Sequence, residues 1–220
     1  MEDDFVRVAE HGQQDTSSTV IRLRCPRCKQ QGVFEPLSPN DARVDEVGGG
    51  VSIVGVRRCP SADCLTLVLF RRRPDGTVVA YPPERIDFDS TNLPPGVLSS
   101  LTEAIACHGN GCYRAATMMV RRTLEELCDH QGAEGDDLKE RLKALRGQVV
   151  LPEALLDGLD ELRFLGNDAS HVEARLYDDI GKDEAELAID VTKEVLKGVY
   201  QYDDLIARLR ARQRPTEDDG

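Results

Sequence analysis

Two periodicities divide the chain. Between Thr19 and Tyr81 apolar side chains recur in twos, and from Val97 onward they recur in threes and fours. The first is the repeat of a half-buried strand and the second that of an amphipathic helix. Thr19-Val20-Ile21-Arg22-Leu23-Arg24 alternates and places Ile21 and Leu23 on one face. The stretches from Val51 to Val56 and from Leu65 to Phe70 are rich in β-branched and apolar residues, as strands are. Pro74-Asp75-Gly76 separates the strand ending near Arg73 from Thr77–Tyr81. Proline presets φ and glycine permits a positive φ, so this tripeptide predicts a hairpin turn. Gly48-Gly49-Gly50 and Ser38-Pro39-Asn40-Asp41 predict loops.

Ser90-Thr91-Asn92-Leu93-Pro94-Pro95-Gly96 carries cap residues and prolines and marks the change from strands to helices. Val97, Leu98, Leu101 and Ile105 predict a first helix, broken at Gly109-Asn110-Gly111. A second covers 112–131, with Ala116, Met119, Val120, Leu124 and Leu127 on one stripe. Leu138, Leu142 and Leu145 predict a third, stopped at Gly147. Leu155, Leu156, Leu159 and Leu162 follow Pro152, a favoured first-turn residue, in a fourth. One long last helix is expected from about Asp183 to Arg212, with Leu187, Val191, Val195, Val199, Tyr202, Leu205 and Leu209 as its apolar stripe. Five such helices with short links read as a bundle. The expected fold class is α+β: a polar flexible tail at 1–18, a small β domain at 19–90, a helical bundle at 91–212 and a polar tail at 213–220.

Charge follows the same division. Residues 1–90 hold 12 basic and 14 acidic residues, whereas 91–220 hold 16 and 26. Within 20–73 the balance reverses, with 10 basic against 5 acidic residues, so this segment is the better candidate for contact with nucleic-acid phosphates. No stretch approaches the ~18 apolar residues of a spanning helix, and the acidic start Met-Glu-Asp-Asp is unlike a secretory signal. A cytoplasmic protein with no membrane association is expected.

Seven cysteines, an odd number, argue against a disulfide framework in such a chain. Cys25-Pro26-Arg27-Cys28 and Cys59-Pro60-Ser61-Ala62-Asp63-Cys64 form two turns that offer two thiolates each. Four sulfurs at that spacing suit one tetrahedral zinc ion per chain and leave no open coordination position, so the metal would be structural. Arg24 and Arg57-Arg58 precede the two turns, and nearby cations would help keep the thiolates ionised. The β domain therefore reads as a zinc ribbon. Cys107, His108 and Cys112 are either further metal ligands or small residues near helix ends, and Cys128 falls beside the second helix's apolar stripe.

The other chemistry-bearing stretch is Arg163-Phe164-Leu165-Gly166-Asn167-Asp168-Ala169-Ser170-His171. If the fourth helix continues, Arg163, Asn167 and His171 stand at i, i+4 and i+8, each step turning about 40°, on one face. A guanidinium, an amide and an imidazole there could bind and cleave a phosphodiester. The same residues could instead act structurally: Asn167 as a cap, Arg163 paired with Glu161, His171 as a satisfied polar residue. No P-loop, HExxH or GxSxG motif is present.

From about Pro94 to Leu209 the sequence resembles the bacterial "domain of unknown function 4145" family. The resemblance rests on Leu101-Thr102-Glu103-Ala104, on Ala115 to Glu125, on Leu138 to Leu145 and on Leu162 to His171. That family is similar to the HEPN superfamily of helical domains, often dimeric, metal-independent RNases of toxin, abortive-infection and restriction systems. The resemblance implies His171 and Asn167 as site residues, with Arg163 one turn earlier. Gly166 stands where the HEPN motif has arginine. Arg121, Arg122 and Glu125 either complete such a site or pair with one another. Two functions are expected. One is a nucleic-acid-associated defence module that binds RNA or DNA, dimerises and cleaves RNA. The other is a non-catalytic adaptor that engages a defence-system protein.

Overall fold

In a computed structural model, residues 6–162 and 180–213 are described. The chain is α+β and divides into two compact units, Met1–Glu84 and Arg85–Gly220.

The first unit is antiparallel throughout. Its strands are β1 (Val8–Asp15), β2 (Arg22–Arg24), β3 (Gln31–Val33), β4 (Glu35–Pro36), β5 (Asn40–Glu46), β6 (Val51–Arg58), β7 (Leu67–Arg72) and β8 (Val78–Tyr81). The main sheet runs β1-β5-β6-β7-β8, with β4 also on β6, and β2 and β3 form a separate hairpin. The expected β7–β8 turn is present: the Arg73 and Thr77 backbones close it, Asp75 accepts from the Thr77 N–H, and Gly76 takes φ +87°. Gly48–Gly50 link β5 to β6 with φ near +100° at all three residues, a conformation that favours glycine.

Alternation along β6 and β7 turns Ile53, Arg57, Val68 and Phe70 inward. There Ile21 and Phe34 meet them in two small clusters. The buried polar element is a bidentate pair. Arg57 Nη1 and Nη2 donate to Asp41 Oδ1 and Oδ2 at 2.7 and 2.6 Å, with the two side chains 1% and 0% exposed. The guanidinium lies 4.5 Å over the Phe70 ring. Gly55 makes room for this arrangement, since a Cβ there would fall 2.1 Å from Asp41 Oδ1 and 2.8 Å from Phe70.

Two expectations for this unit need correction. Residues 8–15, assigned to a flexible tail, form β1, paired with β5 over its whole length. Its side chains are almost all exposed, so backbone hydrogen bonding holds it and no apolar alternation marks it. The strand expected from Leu65 begins at Leu67, because Leu65 takes φ +50° in the preceding turn.

The second unit holds six helices among the described residues: α1 (Pro95–Gly109), α2 (Tyr113–Gln131), α3 (Leu138–Arg146), α4 (Glu153–Leu162), α5 (Lys182–Tyr200) and α6 (Tyr202–Gln213). The first five surround one apolar core that includes Leu101, Leu124, Leu127, Leu145, Leu159 and Ile189. The proline and glycine signals act as anticipated, and Asp137 adds a cap that the spacing did not reveal. Pro95 opens α1, Gly132 closes α2 at φ +69°, and Asp137 accepts from the Glu140 N–H at the start of α3. Buried Thr117, Thr123 and Thr192 donate their hydroxyls to carbonyls of their own helices, which satisfies them inside the core.

The expected single last helix is two. The break falls at Gln201, whose side-chain amide donates to the carbonyls of Asp89 and Thr91 at 2.8 and 3.1 Å. The buried line of α5 is Ala185, Ala188, Ile189, Thr192, Val195 and Leu196, and Leu187, placed on the stripe by spacing, is 65% exposed. Among the described residues no helix is long and apolar enough to cross a membrane.

Candidate metal centre

Each thiol pair is held by a turn of the same construction. In the first, the Cys25 N–H donates to the Gln30 carbonyl, the Lys29 N–H returns to the Cys25 carbonyl, and Lys29 takes φ +65°. In the second, the Cys59 N–H donates to the Thr66 carbonyl, the Leu65 N–H returns to the Ser61 carbonyl, and Leu65 takes φ +50°. The residue after each second cysteine is thus left-handed, which reverses the chain and aims both sulfurs of a pair the same way. The second turn is two residues longer, so Ser61 supplies the carbonyl that Cys25 itself supplies in the first.

The two turns bring four sulfurs together. Cys25, Cys28, Cys59 and Cys64 all lie with their Sγ atoms within 4.8 Å of one another, the one such group of metal-capable side chains among the described residues. Cys25–Cys64 and Cys28–Cys59 are each separated by 3.7 Å. A metal–sulfur bond of about 2.3 Å places tetrahedral ligands about 3.8 Å apart, so the spacing is compatible with a metal centre. All seven cysteines are free thiols.

Electrostatics point the same way. Burial pushes the Cys59 thiol up to about 12, while the Thr66 hydroxyl, 3.1 Å from Cys64 Sγ, holds that thiol down to about 6. Four sulfurs this close resist becoming four anions together, and a divalent cation among them removes that conflict. The arginines expected to favour the thiolates are occupied elsewhere: Arg57 with Asp41, Arg58 with Glu35 and Arg24 with Glu84. The sequence reading missed Thr66 and the packing partners Phe34 and Val68, which enclose the sulfurs. Thr66 lies two residues after Cys64, and that proximity was its only signal.

The remaining candidates belong to the helical unit or lie outside the described residues. Cys107 is half-buried and its thiol is raised mainly by burial; Cys112 is exposed at the start of α2. His108, between them in sequence, is buried with its ring 5.5 Å from that of Tyr113 and 3.8 Å from a Glu186 carboxylate oxygen. Cys128 lies in the helical core, its thiol pushed up to about 11 by burial. Arg121 pairs with Glu125 at 3.0 Å and Arg122 with Glu126, the mutual pairing their spacing allows. Arg163, Asn167 and His171, the residues named for phosphodiester chemistry, lie outside the described residues, as does the tail from 214.

Comparison with known proteins gives one match. The sequence model of a family described as "Domain of unknown function (DUF4145)" covers residues 102–212. No curated protein and no solved structure matches the chain.

Proposed function

Since the chain belongs to the DUF4145 family, we propose that it is a nucleic-acid-associated bacterial defence module of the cytoplasm, built from a structural zinc ribbon and a HEPN-like helical domain that forms a homodimer and cleaves RNA. The observation that supports the zinc part is the convergence of the four sulfurs within 4.8 Å of one another. Their soft donor set suits zinc, and four protein ligands leave no position for substrate, so the ion holds the ribbon together and takes no part in catalysis. Seven free thiols fit a reducing compartment. Metal analysis of folded, reduced protein should find about one zinc per chain. Iron in its place would overturn the identity of the ion, and no metal would overturn the ribbon.

In the helical domain His171 would take the proton from an RNA 2′-hydroxyl as its oxygen attacks the adjacent phosphorus. The bond from phosphorus to the 5′ oxygen breaks and that oxygen takes a proton from water, leaving a cyclic phosphate and a 5′-hydroxyl end, while the imidazolium returns its proton to solvent. Arg163 and Asn167 would stabilise the charge that builds on the phosphate oxygens. Purified protein should cut RNA in EDTA, and His171→Ala should lose at least a hundredfold of that rate. Equal cutting by both proteins, or none by either, sinks the enzyme reading.

A second reading, a non-catalytic adaptor for a defence-system protein, is favoured by a specific observation. Arg24, Arg43, Arg57, Arg58 and Arg71 of the β unit are each matched by a carboxylate: Glu84, Asp45, Asp41, Glu35 and Glu46. That leaves less positive charge for phosphates. A ribbon that binds nucleic acid would show an affinity that falls steeply with salt; an adaptor would show no such binding.

A further inference from the structure

The last helix has no buried face. Every described side chain of α6 except Asp204 is exposed, including Tyr202 at 47%, Leu205 at 53%, Ile206 at 43% and Leu209 at 53%. These four stand at i, i+3, i+4 and i+7, which is the stripe of a helix that packs against something. A twelve-residue helix is marginal in water on its own, so a helix of this length draws its stability from packing.

The charges beside the stripe identify the occupant. Asp203 and Arg210 are seven residues apart and therefore lie within about 20° of each other on one flank. Arg208 lies toward the other flank and pairs with Asp204 at 3.0 Å. When two copies of one helix pack antiparallel about a two-fold axis, each flank meets its own copy running the opposite way. Asp203 then faces the partner's Arg210, and Arg210 faces the partner's Asp203. A parallel pair would turn that flank toward the partner's Arg208 flank, and Asp203 would not meet the partner's Arg210. Acids in the first turn and bases in the last also suit a lone helix. Placing one of each on the same flank of an exposed apolar stripe goes beyond that, because it makes the flank complementary to itself in the antiparallel pairing.

We propose that α6 is a self-docking element, laid antiparallel on the α6 of a second copy, with the Tyr202–Leu205–Ile206–Leu209 stripe as the contact and the Asp203–Arg210 flank as the determinant of direction. This rests on the homodimer part of the function proposed above and names its surface. One short stripe falls below the roughly 800 Å² per partner of a standard interface, so dissociation in the micromolar range is expected.

Sedimentation velocity on the full-length, zinc-loaded protein across the micromolar range tests it. The native chain should show a concentration-dependent dimer, and Leu205→Glu with Leu209→Glu should be monomeric throughout. Asp203→Arg should weaken the dimer at least tenfold, and adding Arg210→Asp should restore it, with circular dichroism showing unchanged helix content in both. The rescue is the diagnostic outcome, because a merely structural role for either residue would not be repaired by the exchange. A native chain that is monomeric at every concentration overturns both this inference and the homodimer reading. A dimer that survives the two glutamates, or a charge exchange that fails to restore pairing, overturns the inference alone.

Discussion

The two units hide their apolar side chains in different ways. Among the described residues, the helical unit gathers nineteen buried apolar residues from Val97 to Leu196 into one cluster. The β unit has two clusters, one of Cys25, Phe34, Cys59 and Val68 and the other of Ile21, Ile53 and Phe70. Two of those seven residues are cysteines of the thiol group, and the space between strands is filled partly by an ion pair. An α-helical stripe collects a large core from a few long elements, whereas short strands around two turns cannot. The β unit must therefore take its stability from specific bonds, and the helical unit from buried area.

Removing the metal ligands should separate the two most sharply. Cys28→Ser, or chelation under reducing conditions, is expected to withdraw on the order of 10 kcal/mol of metal-linked stability. Amide exchange should then lose protection across β2–β8 and keep it in α1, α2 and α5. Protection lost everywhere at once would break the comparison. The buried ion pair comes next. Arg57→Met leaves the Asp41 carboxylate unpaired where it is fully buried, at a cost of about 3–5 kcal/mol in denaturant unfolding of the β unit. Replacing both partners with apolar residues should recover most of that loss, because the penalty lies in the stranded charge.

In the helical unit the corresponding test is a void. Leu145→Ala, at a fully buried position, should cost about 3 kcal/mol and leave the zinc content proposed above unchanged. Zinc loss in that variant would show that the metal centre draws on the helical core. The smallest effect is expected at a cap: Asp137→Ala removes the acceptor for the Glu140 N–H and should cost about 1 kcal/mol, read as a modest fall in melting temperature.

What the sequence disclosed follows the same contrast. Helix starts and stops were legible because proline and glycine act locally, and the cysteine pairs were legible because their spacing is local too. The buried stripe of α2 was read almost residue for residue, while in α5 the expected Leu187, Val191, Val195 and Val199 share only Val195 with the buried line, since a single spacing admits two neighbouring faces. Long-range pairing was hidden. Nothing near Arg57 says that its partner is Asp41, sixteen residues earlier, so a fully buried arginine was read as surface charge beside the thiols. β1 was hidden for a different reason: an edge strand held by backbone bonds leaves no pattern in its side chains. The phosphodiester candidates Arg163, Asn167 and His171 were singled out by spacing and resemblance, and their test is the RNase assay.

The amide of Gln201 carries one further consequence. By grasping the carbonyls of Asp89 and Thr91, it fastens the lead-in to α1 beside the exit from α5. The five core-forming helices, α1 to α5, thus begin and end at neighbouring points, an arrangement that lets such a group be spliced into a surface loop of a host, with α6 left outside it, at little disturbance to its interior. Evolution and the protein engineer alike would find this helical half easy to transplant.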